Sequence, residues 1–212
     1  MCSIITTNKK GFDLDFVNFY SKLRGPDYTN KIEKNGITFI HNLLSITGEF
    51  TIQPFVSDNI VCLYNGEIYN AFKFGNYKSD GECLIPLYKQ YGKEFIKKLD
   101  GEFAITLFDF DKGIIIVSTD IFATKPLWFA KNKEREFCIS SYKSNAERLG
   151  FTDVKRVPPN MTFVFDSNIK QIDAYEIYTF SLNQFKSTFD DWNKAFYNSI
   201  NKRCIQNMRE KT

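Results

Sequence analysis

The chain has 212 residues, 43% of them hydrophobic, and carries 28 Lys and Arg against 25 Asp and Glu for a net charge of +3. That length fits one large domain or a domain with an appendage, and 22 Phe with 11 Tyr forecast an aromatic core. The weak charge, in which Lys97-Lys98 and Lys131-Asn132-Lys133 form no basic stripe, argues against nucleic acid as a partner. No apolar run approaches the roughly 18 residues of a membrane span.

In sequence order, Cys2 to Thr6 reads as a short buried strand, and Asp13 to Leu23 as a helix with Asp13 as N-cap and Leu14, Val17 and Leu23 at helical spacing. Arg24-Gly25-Pro26-Asp27 breaks it. Gly36 to Leu44 and Asn59 to Tyr64 read as buried strands, the second ending on the tight-turn dipeptide Asn65-Gly66. Ser79-Asp80-Gly81-Glu82 has capping-box spacing and opens a helix to about Tyr91, in which Pro86 requires either a later start or a kink. Phe103 to Phe110 and Ile114 to Thr119 form a hairpin across Asp111-Lys112-Gly113, and Leu127 to Ala130 pairs with Phe137 to Ser140. Met161 to Asp166 is a further strand, Tyr175 to Phe185 is extended, and Phe189 to Asn207 is helical. The expected class is α+β, with two packed sheets flanked by helices.

The five cysteines (Cys2, Cys62, Cys83, Cys138 and Cys204) show no CxxC pair, and with the single His41 they offer no metal site. Their odd number, without a leader segment, points to the reducing cytoplasm. Cys2 is the most informative of them. If Met1 is removed, it carries a thiol nucleophile and, in its α-amine of pKa roughly 7.7–8.0, a general base. His41 lies in a strand-like apolar segment and reads as a structural histidine.

Four further segments extend the case for Cys2. They are Leu63-Tyr64-Asn65-Gly66-Glu67-Ile68-Tyr69-Asn70, Ser79-Asp80-Gly81-Glu82, Leu99-Asp100-Gly101-Glu102-Phe103-Ala104 and Asp120-Ile121-Phe122-Ala123-Thr124-Lys125-Pro126-Leu127. In that order, after a Met-Cys start and Arg24-Gly25-Pro26-Asp27, they closely resemble the glutaminase domain of asparagine synthetase. That family belongs to the class II, N-terminal-nucleophile glutamine amidotransferases, and the resemblance covers about residues 1–180.

The resemblance implies a four-layer αββα sandwich of two antiparallel sheets and a glutamine-hydrolysing amidotransferase that needs no cofactor. It implies Cys2 as nucleophile and Asn65 with Gly66 as the oxyanion hole, an assignment that suits the side-chain amide and the glycine N–H. Asp80 corresponds to the carboxylate that binds the substrate's α-ammonium, with Glu67 and Ser45 also at the substrate, while Lys125-Pro126-Leu127 packs beneath the site. Residues 1–185 are then the glutaminase-like domain. Residues 186–212 resemble the helical lead-in to an ATP-dependent synthetase domain whose Ser-Gly-Gly-x-Asp-Ser motif is absent from this sequence. The partner expected is such a domain, missing or on a separate polypeptide.

The sequence departs from the family at two places. His41-Asn42-Leu43-Leu44-Ser45-Ile46 has Leu43 where the family's arginine grips the α-carboxylate of glutamine, and Thr119-Asp120-Ile121-Phe122-Ala123 replaces an Arg-Asp and Phe-Gly pattern. Leucine has no donor, and loss of one partner of a buried charge pair costs roughly 2–5 kcal/mol. Two alternatives therefore stand beside hydrolysis of free glutamine: a Cys2 amidase acting on a different amide, and a non-catalytic regulatory remnant.

Overall fold

The computed structural model describes residues 1–46, 48–181 and 188–209. The first elements are strand β1 (Ser3–Thr7), helix α1 (Leu14–Arg24), β2 (Tyr28–Lys34), β3 (Ile37–Leu43), β4 (Phe55–Ser57) and β5 (Ile60–Ile68). Helix α2 (Leu84–Tyr91), β6 (Gly101–Asp109), β7 (Ile114–Thr119), β8 (Trp128–Lys131) and β9 (Phe137–Ser140) follow. Helix α3 (Lys143–Arg148), β10 (Val154–Arg156), β11 (Met161–Asp166), β12 (Gln171–Glu176) and helix α4 (Asp190–Arg209) come last.

The strands form two six-stranded sheets, ordered β10-β8-β9-β1-β3-β2 and β12-β11-β7-β6-β5-β4. Every pairing is antiparallel. Successive side chains point to opposite faces of a strand, and in the central strands both sets are apolar. In β5, Val61 and Leu63 turn toward the first sheet, where Ile4, Phe39 and Phe137 meet them. Cys62 and Tyr64 turn the other way, onto Leu84, Leu87 and Tyr88 of α2 and Phe95 of the 3-10 turn Gly92–Lys98. On the far side of the first sheet, Ile5, Ile40 and Cys138 pack against Val17 of α1 and Ala146 and Leu149 of α3. These three apolar layers separate helix, sheet, sheet and helix, which is the αββα sandwich that the resemblance implies.

Several local expectations are corrected. The Asn65-Gly66 pair is not a turn. β5 runs through it to Ile68, pairing Asn65 with Ala104 and Gly66 with Phe103 of β6. The helix at Ser79 starts as a 3-10 turn (Asp80–Cys83), and the α-helical part begins at Leu84. Pro86 therefore lies in the first turn, where its missing N–H has no intrahelical partner to lose.

The face of α1 that is buried carries Val17, Asn18 and Ser21, while Phe16, Tyr20 and Leu23 are exposed. Hydrogen bonds explain why Asn18 and Ser21 are buried beside Val17. Asn18 and Asn42 exchange amide bonds at 3.0 and 2.8 Å, Asn42 also donates to Ser3 Oγ at 2.9 Å, and Ser21 Oγ donates to Asn145 Oδ1 at 3.0 Å. Strands β2, β4 and β10 and helix α3 had no counterpart in the sequence pattern; β2 is an edge strand with largely polar residues. The extended segment expected over Tyr175–Phe185 contributes only its first residues, to β12, and residues 182–185 lie outside those described. No described helix is long and apolar enough to cross a membrane.

Candidate active site

The fold brings Cys2, Ser45, Asn65, Gly66, Glu67 and Asp80 to the wall of one cleft. Cys2 stands at the mouth of β1, a central strand of its sheet between β9 and β3, and Ser45 follows the end of β3. Asn65, Gly66 and Glu67 come from the end of β5 on the facing sheet, and Asp80 opens the turn that leads to α2. Sheet register, with Ser3 opposite Asn42 and Asn65 opposite Ala104, thus sets the spacing of the site.

Cys2 is half-buried. The Leu44 backbone N–H donates to its Sγ at 3.4 Å, and the thiol lies 3.7 Å from the Leu44 carbonyl. Burial pushes the thiol above its ordinary pKa; the Leu44 amide and the terminal ammonium oppose that push. The terminal amine, here that of Met1, is held below its ordinary value mainly by burial, with Arg24 and Lys125 acting in the same direction. Met1 is exposed, its Sδ accepting from Arg24 Nη2 at 3.5 Å.

Asn65 is 1% exposed, and its Nδ2 is a buried donor with no partner among the described residues. The neighbouring strand explains Gly66, since a Cβ there would lie 1.9 Å from the Glu102 carbonyl oxygen. Only glycine lets β5 and β6 approach so closely beside the cleft.

Asp80 accepts from Tyr64 Oη at 2.6 Å, from the Ile68 amide at 2.6 Å and from the Gly81 amide at 2.9 Å. These three donors hold its carboxylate in place at the cleft wall. Burial and the adjacent Asp80 hold Tyr64 far above its ordinary pKa, so it remains a donor. Ser45 donates its amide to Asp27 Oδ2 at 2.7 Å, tying the Arg24–Asp27 turn to the rim of the cleft.

The structure adds residues that the sequence did not single out for the site. Gln53 lines the cleft and accepts from the Tyr64 amide at 2.9 Å. Lys125, expected to pack beneath the site, also lines the cleft, 9% exposed and paired with Glu102 at 3.1 Å. Asp120 shapes the loop that delivers it, accepting from the Phe103, Phe122 and Thr124 amides at 3.0, 2.9 and 2.9 Å. In that loop Ala123 holds a φ of 49°, left-handed backbone at the place where the resemblance expects glycine. His41 does not reach the cleft wall. It is 1% exposed, and burial lowers its pKa to about 4, leaving it neutral in the core.

Residues 1–178 match the family described as "Glutamine amidotransferase domain". The chain belongs to that family. This amidotransferase domain is 34% identical over 139 residues to a probable glutamine-hydrolysing asparagine synthetase of Schizosaccharomyces pombe, covering 57% of this chain and 25% of that protein. It is 35% identical over 136 residues to an amidase of Penicillium rubens, covering 57% of this chain and 20% of the other. The chain thus spans about a quarter or less of the length of these relatives. Among solved structures, the glutamine phosphoribosylpyrophosphate amidotransferase of B. subtilis superposes with a TM-score of 0.56 at 17% identity. The overlap covers 85% of this chain and 43% of that one, and it shows a shared fold.

Proposed function

We propose that this amidotransferase domain cleaves the terminal carboxamide of a glutamine-type amide through Cys2. The observation that carries the reading is the buried, unpartnered Asn65 Nδ2 on the same cleft as the Cys2 thiol. Leaving such a donor unsatisfied costs about 1–3 kcal/mol, a cost that a ligand oxyanion would offset.

After loss of Met1, the α-amine of Cys2 takes the thiol proton, and Sγ attacks the amide carbon. Asn65 Nδ2 and the Gly66 N–H receive the oxyanion. The ammonium returns its proton to the leaving nitrogen, ammonia departs, and a thioester remains. Water then hydrolyses the thioester to a carboxylate and restores the thiol. Asp80 holds the substrate's α-ammonium, with Glu67 and Ser45 at the substrate end of the cleft. The names and lengths of the relatives support passing the ammonia to an ATP-dependent synthetase part outside these 212 residues.

The test uses protein produced with Cys2 first, verified by intact mass, and offered glutamine and glutamine α-amide. Ammonia release and a thioester mass on the Cys2 peptide are expected. Release that persists in Cys2→Ala would overturn the reading.

A further inference from the structure

The apolar layer between the two sheets reaches the surface at one edge of the sandwich. There the first sheet ends on β10, a strand of three residues, and the second ends on β12. Phe129 of β8 and Phe163 of β11 pack on that layer but are only half-buried. With Val117, Val157 and Phe165 they line a pocket of about 240 Å³, which shares no lining residue with the Cys2 cleft. The rings of Phe129 and Phe165 stack at 4.9 Å and 21°, and those of Phe163 and Phe165 at 6.4 Å and 25°. Three near-parallel rings at an open wall suit a flat guest, which can extend the stack in the offset arrangement that aromatic pairs prefer.

The charged side chains at this pocket are cationic. Lys131, Lys155 and Arg156 line it, and no carboxylate among the described residues does. Lys131 follows Phe129 by two residues and shares its face of β8. Its Nζ donates to the Ile169 carbonyl, between β11 and β12, at 3.0 Å. Lys155 stands opposite Phe129 in the β10–β8 register, on the same face. It pairs with Asp153 at 3.2 Å, but both side chains are more than 70% exposed, and such a pair is weak. Arg156 gives its Nη2 to the Ala123 carbonyl at 3.4 Å. Asp153 therefore offsets one of three positive charges that stand over an apolar floor. An anion with an apolar body satisfies both features.

We propose that this edge pocket binds a small aromatic carboxylate, its ring system on Phe129 and Phe163 and its carboxylate at Lys131 and Lys155. The ring displaces water from the apolar wall, and the two ammonium groups meet the charge at the solvent edge. The site is independent of the Cys2 chemistry and stands whether or not a glutamine-type amide is the substrate there.

Calorimetric titration of the 212-residue protein with naphthoate, naphthamide and octanoate tests the site. Naphthoate is expected to bind with one-to-one stoichiometry and about tenfold more tightly than the uncharged naphthamide, the gain that two exposed ion pairs supply. Octanoate, with the charge but no ring, is expected to be weaker than naphthoate by about fivefold. The double variant Lys131→Gln, Lys155→Gln should bring naphthoate down to the affinity of naphthamide. It should leave naphthamide itself unchanged, which shows that the apolar wall is intact. Asp153→Asn, which releases Lys155, should tighten naphthoate about twofold. Absence of naphthoate binding in the millimolar range overturns the proposal. Equal affinities for naphthoate and naphthamide, or naphthoate binding untouched by the double variant, overturn it as well. So does binding that disappears once Cys2 is alkylated, because the ligand would then lie in the cleft.

Discussion

The Leu44 N–H points at the Cys2 sulfur from 3.4 Å while the carbonyl of the same residue lies 3.7 Å from it. One residue thus serves both protonation states. The thiol can donate to the carbonyl, and the thiolate can accept from the amide, so loss of the proton requires no movement of the backbone. Hydrogen bonding to the charged form is also what opposes the rise in pKa that burial imposes on Cys2.

Alkylation should therefore be selective. Cys62, Cys83 and Cys138 are buried, and burial raises Cys83 and Cys138 to about 12 and Cys62 further still. Thiolate is the reactive species, so a glutamine-like diazo-ketone is expected to modify Cys2 ahead of these three at neutral pH. Peptide mapping checks this, and label spread evenly over the cysteines would refute the assignment.

Asn65→Ala removes the donor proposed for the oxyanion and leaves ground-state contacts in place. The expected result is a fall in kcat of about 10²–10³ with KM nearly unchanged. A rise in KM with kcat intact would move Asn65 to substrate binding. Because its Nδ2 has no protein partner among the described residues, the substitution should cost little stability, which denaturant unfolding can check separately.

The six candidate residues were singled out in the sequence because each sits in a short ordered motif, and all six line one cleft. Their local structure was less legible. Asn-Gly ordinarily signals a hairpin turn, and only the pairing of Gly66 with Phe103 shows why the glycine is needed inside a strand. Along α1 the spacing found Leu14 and Val17 but not Asn18 and Ser21, because apolar periodicity does not register a buried amide and hydroxyl network such as Asn18, Asn42 and Ser3. Lys125 was read as packing alone because its place on the cleft depends on Asp120 folding the intervening loop, a tertiary effect.

His41 gives a pH signature of folding. Burial lowers its pKa to about 4 from an ordinary 6.5, so the unfolded state binds more protons across that interval. Stability therefore rises with pH through the window, is complete above about 6.5, and is lost as pH falls toward about 4, by about 3 kcal/mol in all. His41→Gln keeps an N–H donor but cannot titrate, and its unfolding free energy should be flatter between those limits. Equal slopes in the two proteins would show that His41 is hydrated or charged in the fold.

Asp80 offers the sharpest separation of binding from chemistry. Asp80→Asn removes the charge proposed to meet the substrate's ammonium while keeping an oxygen that can accept from Tyr64 and the Ile68 amide. KM for an amide with a free α-amine should rise about thirtyfold or more, since losing one partner of a buried charge pair costs roughly 2–5 kcal/mol. An α-acetylated substrate should show no such change. The same carboxylate adds to the upward push on the Cys2 thiol, so in Asp80→Asn thiolate forms more readily and alkylation should begin at lower pH. Tyr64→Phe leaves Asp80 charged with the Ile68 and Gly81 amides as donors. It should raise KM less than Asp80→Asn does, and lower stability by about 1.5–3 kcal/mol, the range for hydrogen bonds to charged groups. If Asp80→Asn instead lowered kcat and kcat/KM equally with KM fixed, Asp80 would act in the transition state and not on the ammonium.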